Sequence, residues 1–179
     1  MTGVTMQKIA IVGNSGAGKT VLAHRLGALL HLPVTHLDAL RYDTDWNLVP
    51  EAEFADQQRA AVTADTWIID GNSLATLSIR AAAADTVIMV DPPPWVCLWG
   101  ILQRRWRYRG GQHPDGVFDR ITVDSLRYTA TYRRSHGPRT LACIAVAGLP
   151  ARHQLATALV DRVPRHPPPP LRKLAAAYR

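Results

Sequence analysis

The sequence predicts a three-layer α/β domain around a parallel β-sheet. Three observations carry that prediction. Short apolar, β-rich runs alternate with segments whose apolar residues recur at helical spacing. The polar residues Gly13, Asp38, Asp70 and Asp91 stand where the first four apolar runs end, which is the edge of a parallel sheet where ligands collect. A glycine-rich phosphate-binding signature lies between the first run and the first helix.

Taken in order, Lys8 to Val12 is the first strand and ends at Gly13. Lys19 to Leu30 is a helix, with Val21, Leu22, Leu26, Leu29 and Leu30 near one face and Pro33 behind it. Val34 to Leu37 is the second strand. Pro50 opens a helix over Glu51 to Ala64. Thr66 to Ile69 is the third strand, Leu74 to Ala83 a short helix, and Thr86 to Val90 the fourth strand. After Pro92-Pro93-Pro94 comes a strong helix, Trp95 to Tyr108. Its Trp95, Leu98, Trp99, Leu102 and Trp106 form one stripe, expected to face the core, with Arg104 and Arg107 on the other side. Gly110 to Gly116 is a glycine-rich loop and Val117 to Arg134 a helix. Leu141 to Ala147 reads as a fifth, buried strand, followed by a last helix over Ala151 to Val163. Residues 1–163 form one domain, with a lid over about 104–134, and 164–179 form a Pro-rich basic tail.

The chain has 179 residues, 47% of them hydrophobic, enough for a core without metal or disulfides. Cys97 and Cys143 lie in apolar runs without metal-ligand spacing and read as buried small hydrophobes. The start of the chain lacks a charged stretch followed by a long apolar one, and Trp95 to Leu102 is too short to span a bilayer. A cytoplasmic protein without a membrane partner is expected. The net charge of +7 is uneven: six basic against ten acidic residues over 1–95, nine against three over 96–140, and six against one over 141–179. That surplus favours a phosphate-bearing partner, either a nucleotide or, non-specifically, a nucleic acid.

Gly13-Asn14-Ser15-Gly16-Ala17-Gly18-Lys19-Thr20 matches G-x-x-x-x-G-K-[ST], the signature of an ATP- or GTP-binding loop. The glycines allow positive φ and turn backbone N–H groups inward around a phosphate. The helix starting near Lys19 adds its positive end. Lys19 reaches the β- and γ-phosphates, and Thr20 offers a hydroxyl to Mg²⁺. Asp70, ending an apolar strand beside this loop, fits the second metal-shell group.

The loop stands with His36-Leu37-Asp38, Trp67-Ile68-Ile69-Asp70-Gly71-Asn72, Leu77-Ser78-Ile79-Arg80, Ala84-Asp85-Thr86-Val87-Ile88 and Arg104-Arg105-Trp106-Arg107-Tyr108-Arg109-Gly110. Over roughly residues 7–150 this combination resembles the bacterial DNA topology modulation proteins, which are related to adenylate kinase. The resemblance implies the nucleoside-monophosphate-kinase variety of the P-loop fold, with a five-stranded parallel sheet and ATP binding. Two departures from adenylate kinase stand out. Asp70-Gly71-Asn72 replaces Asp-Gly-Phe-Pro-Arg, which implies a different acceptor pocket, and the short lid has no cysteines for zinc.

The function expected is transfer of the γ-phosphoryl group to a small acceptor such as a nucleoside monophosphate. Lys19, Asp38, Arg104, Arg105 and Arg109 would serve the transfer, and Asp38, Asn72 and Arg80 would hold the acceptor. Arg120, Arg127 and Arg134 recur every seven residues on one face of the helix after the glycine loop. Two alternatives are a slow regulatory NTPase and an ATP-binding protein acting on DNA topology. His24, His31 and His36 lack metal spacing and read as structural or solvated.

Overall fold

A computed structural model of the chain describes residues 6–43, 47–108 and 121–148. Among them are four strands, β1 (Lys8–Gly13), β2 (Val34–His36), β3 (Trp67–Asp70) and β4 (Thr86–Val90). The helices are α1 (Lys19–Leu30), α2 (Leu37–Leu40), α3 (Glu51–Ala61), α4 (Leu77–Ala83), α5 (Pro94–Tyr108), α6 (Val123–Ser135) and α7 (Gly137–Val146). The strands form one sheet in the order β2-β3-β1-β4, with every pairing parallel.

The period-2 alternation of β1 divides the core into two layers. Ala10 and Val12 join Phe54 of α3, Leu77 of α4, Tyr132 of α6 and Ile144 of α7 on one face. Ile9 and Ile11 join Leu22 and Leu26 of α1 and Cys97 of α5 on the other. Strands covered on both faces are apolar along their whole length, and β3 and β4 are buried at every position. The register aligns the carboxyl ends: Gly13 lies beside Val90, and Asp70 sits between Ile11 and His36.

Two sequence expectations are corrected. The sheet has four strands among the described residues, because Leu141 to Val146 belongs to helix α7, with Ala147 as its C-cap. The buried positions Gly137, Thr140 and Ile144 recur at helical spacing, Pro138 sits in the first turn, and Val146 is 90% exposed. A continuous apolar run of that length does not by itself separate a strand from a helix.

The tryptophan stripe of α5 faces outward. Trp95, Trp99, Leu102 and Trp106 are each at least half exposed, while Cys97 and Ile101 are buried. The inner face of the helix is set by the glycine loop after β1, which packs directly against it. A Cβ on Gly100 would stand 2.3 Å from the Gly16 carbonyl oxygen, and one on Gly16 would stand 2.1 Å from that of Cys97.

Smaller differences concern ends and additions. α3 closes at Ala61, α4 opens at Leu77, and the short α2 follows β2 directly. α6 starts at Val123 behind a capping box made by Thr122 and Ser125. The first part of the expected helix 117–134, the loop 110–116, the helix 151–163 and the tail 164–179 lie outside the described residues.

Candidate active site

The glycine loop leaves β1 at Gly13 and enters α1 through Gly18. Gly13, Gly16 and Gly18 have φ of 139°, 72° and 87°. At Gly13 the requirement is steric as well as torsional, since a Cβ would fall 2.0 Å from the Val90 carbonyl oxygen. The loop closes through Ala17 N donating to Asn14 O, and Lys19 Nζ donates to the same carbonyl at 2.9 Å. The side chain of Asn14 turns away into the protein and donates to Thr129 O of α6. Asn14 therefore offers the loop its backbone only.

Lys19 is the electrostatic centre of the site. Burial lowers its pKa, Asp38 and Asp70 oppose that shift, and Arg104 adds to it. These four residues come from α1, α2, β3 and α5, so the chain brings together groups far apart in sequence. Asp38 is exposed at the start of α2, and Arg104 and Arg105 are exposed near the end of α5. Thr20 is partly buried in the first turn of α1.

Asp70 is 3% exposed, and His36 Nδ1 lies 2.5 Å from its Oδ1. A carboxylate only accepts, so this contact puts a proton on Nδ1 of the ring. His36 in turn packs beside the His24 ring at 4.8 Å. Gly71, with φ of 137°, follows Asp70; a Cβ there would meet Leu37. Next, the Asn72 amide donates to the Tyr128 hydroxyl of α6.

Arg80 is fully buried in α4. Its guanidinium donates to Gln58 Oε1 of α3 at 2.5 Å, and Gln58 Nε2 donates to Phe54 O. A longer contact of 3.5 Å reaches Ser73 O behind the Asn72 turn. Burial pushes the pKa of Arg80 down to about 10, so it stays cationic at neutral pH. The side chain expected at the acceptor is thus buried between α3 and α4, with its guanidinium bonded to protein groups.

Asp91, after β4, is held by Arg133 through its carboxylate at 2.9 Å and its carbonyl at 2.6 Å. Arg127 and Arg134 are exposed on α6, and Arg109 and Arg120 lie outside the described residues.

Sequence reasoning missed three participants. His36 was expected to be structural or solvated, and only its place one residue before Leu37-Asp38 hints at the contact with Asp70. Gly100 carried a weak signal, a glycine inside an otherwise strong helix. Tyr128 carried none, because its partner is 56 residues away.

No protein-family model matches the sequence, and no curated protein matches it. Among solved structures, the chain is similar to shikimate kinase from Acinetobacter baumannii in complex with shikimate. The identity is 15% and the TM-score 0.51, over 89% of this chain and 97% of that one. It is also similar to shikimate kinase from Bacteroides thetaiotaomicron, at 18% identity and a TM-score of 0.51, over 76% and 82% of the two chains. Likeness at these identities is likeness of fold: the chain has the α/β parallel-sheet fold of the P-loop kinases. None of these comparisons points to the DNA topology modulation proteins. No described helix is long and apolar enough to cross a membrane.

Proposed function

We propose that this protein is a small-molecule phosphotransferase. It moves the γ-phosphoryl group of ATP or GTP to a small acceptor held at the carboxyl edge of the sheet. The observation that carries the reading is the convergence of Lys19, Asp38, Asp70 and Arg104 around a loop whose three glycines adopt positive φ. A P-loop alone would serve an NTPase equally well. The exposed Asp38, whose charge acts on the loop's lysine, favours transfer to a hydroxyl or phosphate.

Loop amides and the amino end of α1 would hold the β- and γ-phosphates. Lys19, Arg104, Arg105 and Arg109 would neutralise charge developing on the transferring group. Asp38 would orient the acceptor nucleophile, and Asn72 would hold the acceptor nearby. Arg80 is assigned a different task, as a buried strut that ties α3 and α4 to the turn behind Asn72.

The residues also suit Mg²⁺. A hydroxyl from Thr20 and the nearly buried Asp70 carboxylate, anchored through one oxygen by His36, are hard oxygen donors on one edge. Among the described residues no cluster of three His, Cys, Asp or Glu side chains forms a closed cage. Mg²⁺ needs none, because it keeps waters and takes phosphate oxygens. When bound, it would neutralise the phosphates during transfer.

The neighbour complexed with shikimate suggests widening the acceptor panel beyond nucleoside monophosphates to hydroxylated carboxylic acids and sugars. The test of the site is a Mg·ATP titration of the wild type and Lys19→Ala. Binding weakened by on the order of tenfold or more, with transfer to every panel compound abolished, is the expected result. Unchanged affinity in the variant would place the nucleotide elsewhere.

A further inference from the structure

Helix α6 is bonded to the segments that follow three of the four strands. Thr129 O accepts from the buried Asn14 side chain of the phosphate-binding loop at 2.8 Å. One residue earlier, the Tyr128 hydroxyl accepts from Asn72 Nδ2. One turn later, Arg133 holds Asp91 after β4. Adjacent residues of one helix thus grip the nucleotide loop and the loop behind β3.

The Tyr128 ring is itself fixed. It packs edge-on to Tyr132 at 5.7 Å and against His136 at 4.5 Å, and Tyr132 is fully buried under the sheet. Burial pushes the Tyr128 phenol up to about 12, so it remains a neutral hydroxyl across the physiological range. Asn72 therefore meets a rigid partner whose charge state does not change.

We propose that Tyr128 is a positioning residue for the acceptor: its hydroxyl fixes the Asn72 amide while the adjoining Thr129 carbonyl fixes the phosphate-binding loop, so α6 sets the spacing between the two substrates. The proposal rests on the phosphotransferase reading. In-line transfer is steep in distance and alignment, which makes a common ruler for both loops valuable. Tyr128 does not touch the reacting atoms; it acts through Asn72.

The test is Tyr128→Phe, which keeps the ring and its contacts with Tyr132 and His136 and removes the hydrogen-bonding oxygen. In heteronuclear NMR of the wild type, the Asn72 side-chain amide protons should exchange with water slowly, and in the variant about tenfold faster. With the panel compound that gives most product, the acceptor KM should rise about tenfold while the Mg·ATP KM stays within about twofold. Asn14→Ala cuts the other bond and should show the opposite preference, raising the Mg·ATP KM more than the acceptor KM. Unchanged Asn72 exchange in Tyr128→Phe would overturn the positioning role. An equal rise of both KM values would overturn the division of labour along α6. If the wild type phosphorylates no panel compound, the phosphotransferase reading fails, and Asn72 exchange still decides whether Tyr128 holds that side chain.

Discussion

Lys19, proposed to serve phosphoryl transfer, also opposes stability. Burial outweighs the help of Asp38 and Asp70, so its pKa lies below the ordinary value of 10.5. The folded chain thus binds this proton less tightly than the unfolded chain. That penalty is fully present below the folded pKa and is relieved as pH rises towards 10.5. Lys19→Met should therefore unfold at or above the wild-type midpoint while losing transfer activity; a clearly lower midpoint would show that the ammonium stabilises the fold. Arg80 is expected to behave in the opposite way. It is buried and bonded to Gln58, so Arg80→Ala leaves a cavity and an unpaired amide oxygen. The cost should be about 3 kcal/mol, or a fall in Tm of roughly 6–12 °C, with Mg·ATP affinity nearly unchanged. A selective rise in acceptor KM without loss of Tm would return Arg80 to the acceptor site. At this scale the sequence was informative where chemistry is local, as in the loop from Gly13 to Thr20. It was silent where a partner lies far along the chain, as with His36 and Asp70 or Asn72 and Tyr128.

Helix α5 illustrates what periodicity can and cannot say. Its 3-4 stripe of Trp95, Trp99, Leu102 and Trp106 is real, but its inner face is chosen by the backbone it must approach. The backbone of α5 at Cys97 and Gly100 approaches Gly16 closely, so Cys97, Gly100 and Ile101 turn inward. Gly100→Ala makes the competition measurable. Helix propensity alone favours alanine by up to about 1 kcal/mol. The new Cβ would stand 2.3 Å from the Gly16 carbonyl, a backbone atom that cannot swing aside. Overpacking of this kind costs roughly 1–3 kcal/mol, so the clash should win and Mg·ATP affinity should fall on the order of tenfold. A more stable variant with full affinity would contradict the packing of α5 on the loop. The α7 segment shows the same gap from another side. Leu141 to Ala147 is apolar enough for a strand, and the decisive cues, Pro138 and the one-turn spacing of Gly137, Thr140 and Ile144, lie partly before the run.

The whole molecule combines a sheet edge carrying carboxylates with a basic second half. The alternation of strands and helices made the fold class legible, because parallel strands need crossovers and both faces need cover. The strand count and the acceptor were less legible, since both depend on side chains meeting across elements. The charge surplus makes one further prediction. Duplex DNA should bind at low salt, lose affinity steeply between about 50 and 200 mM, and show no sequence preference. Tight binding at physiological salt that discriminates among sequences would favour a direct role on DNA. Transfer is separated from hydrolysis by following γ-phosphate-labelled Mg·ATP and measuring how the label divides between water and the panel acceptors in the wild type and Lys19→Met. In the wild type, label should reach at least one small acceptor well above release to water, and none should in the variant; label released only to water, whatever acceptor is present, would rule out a phosphotransferase.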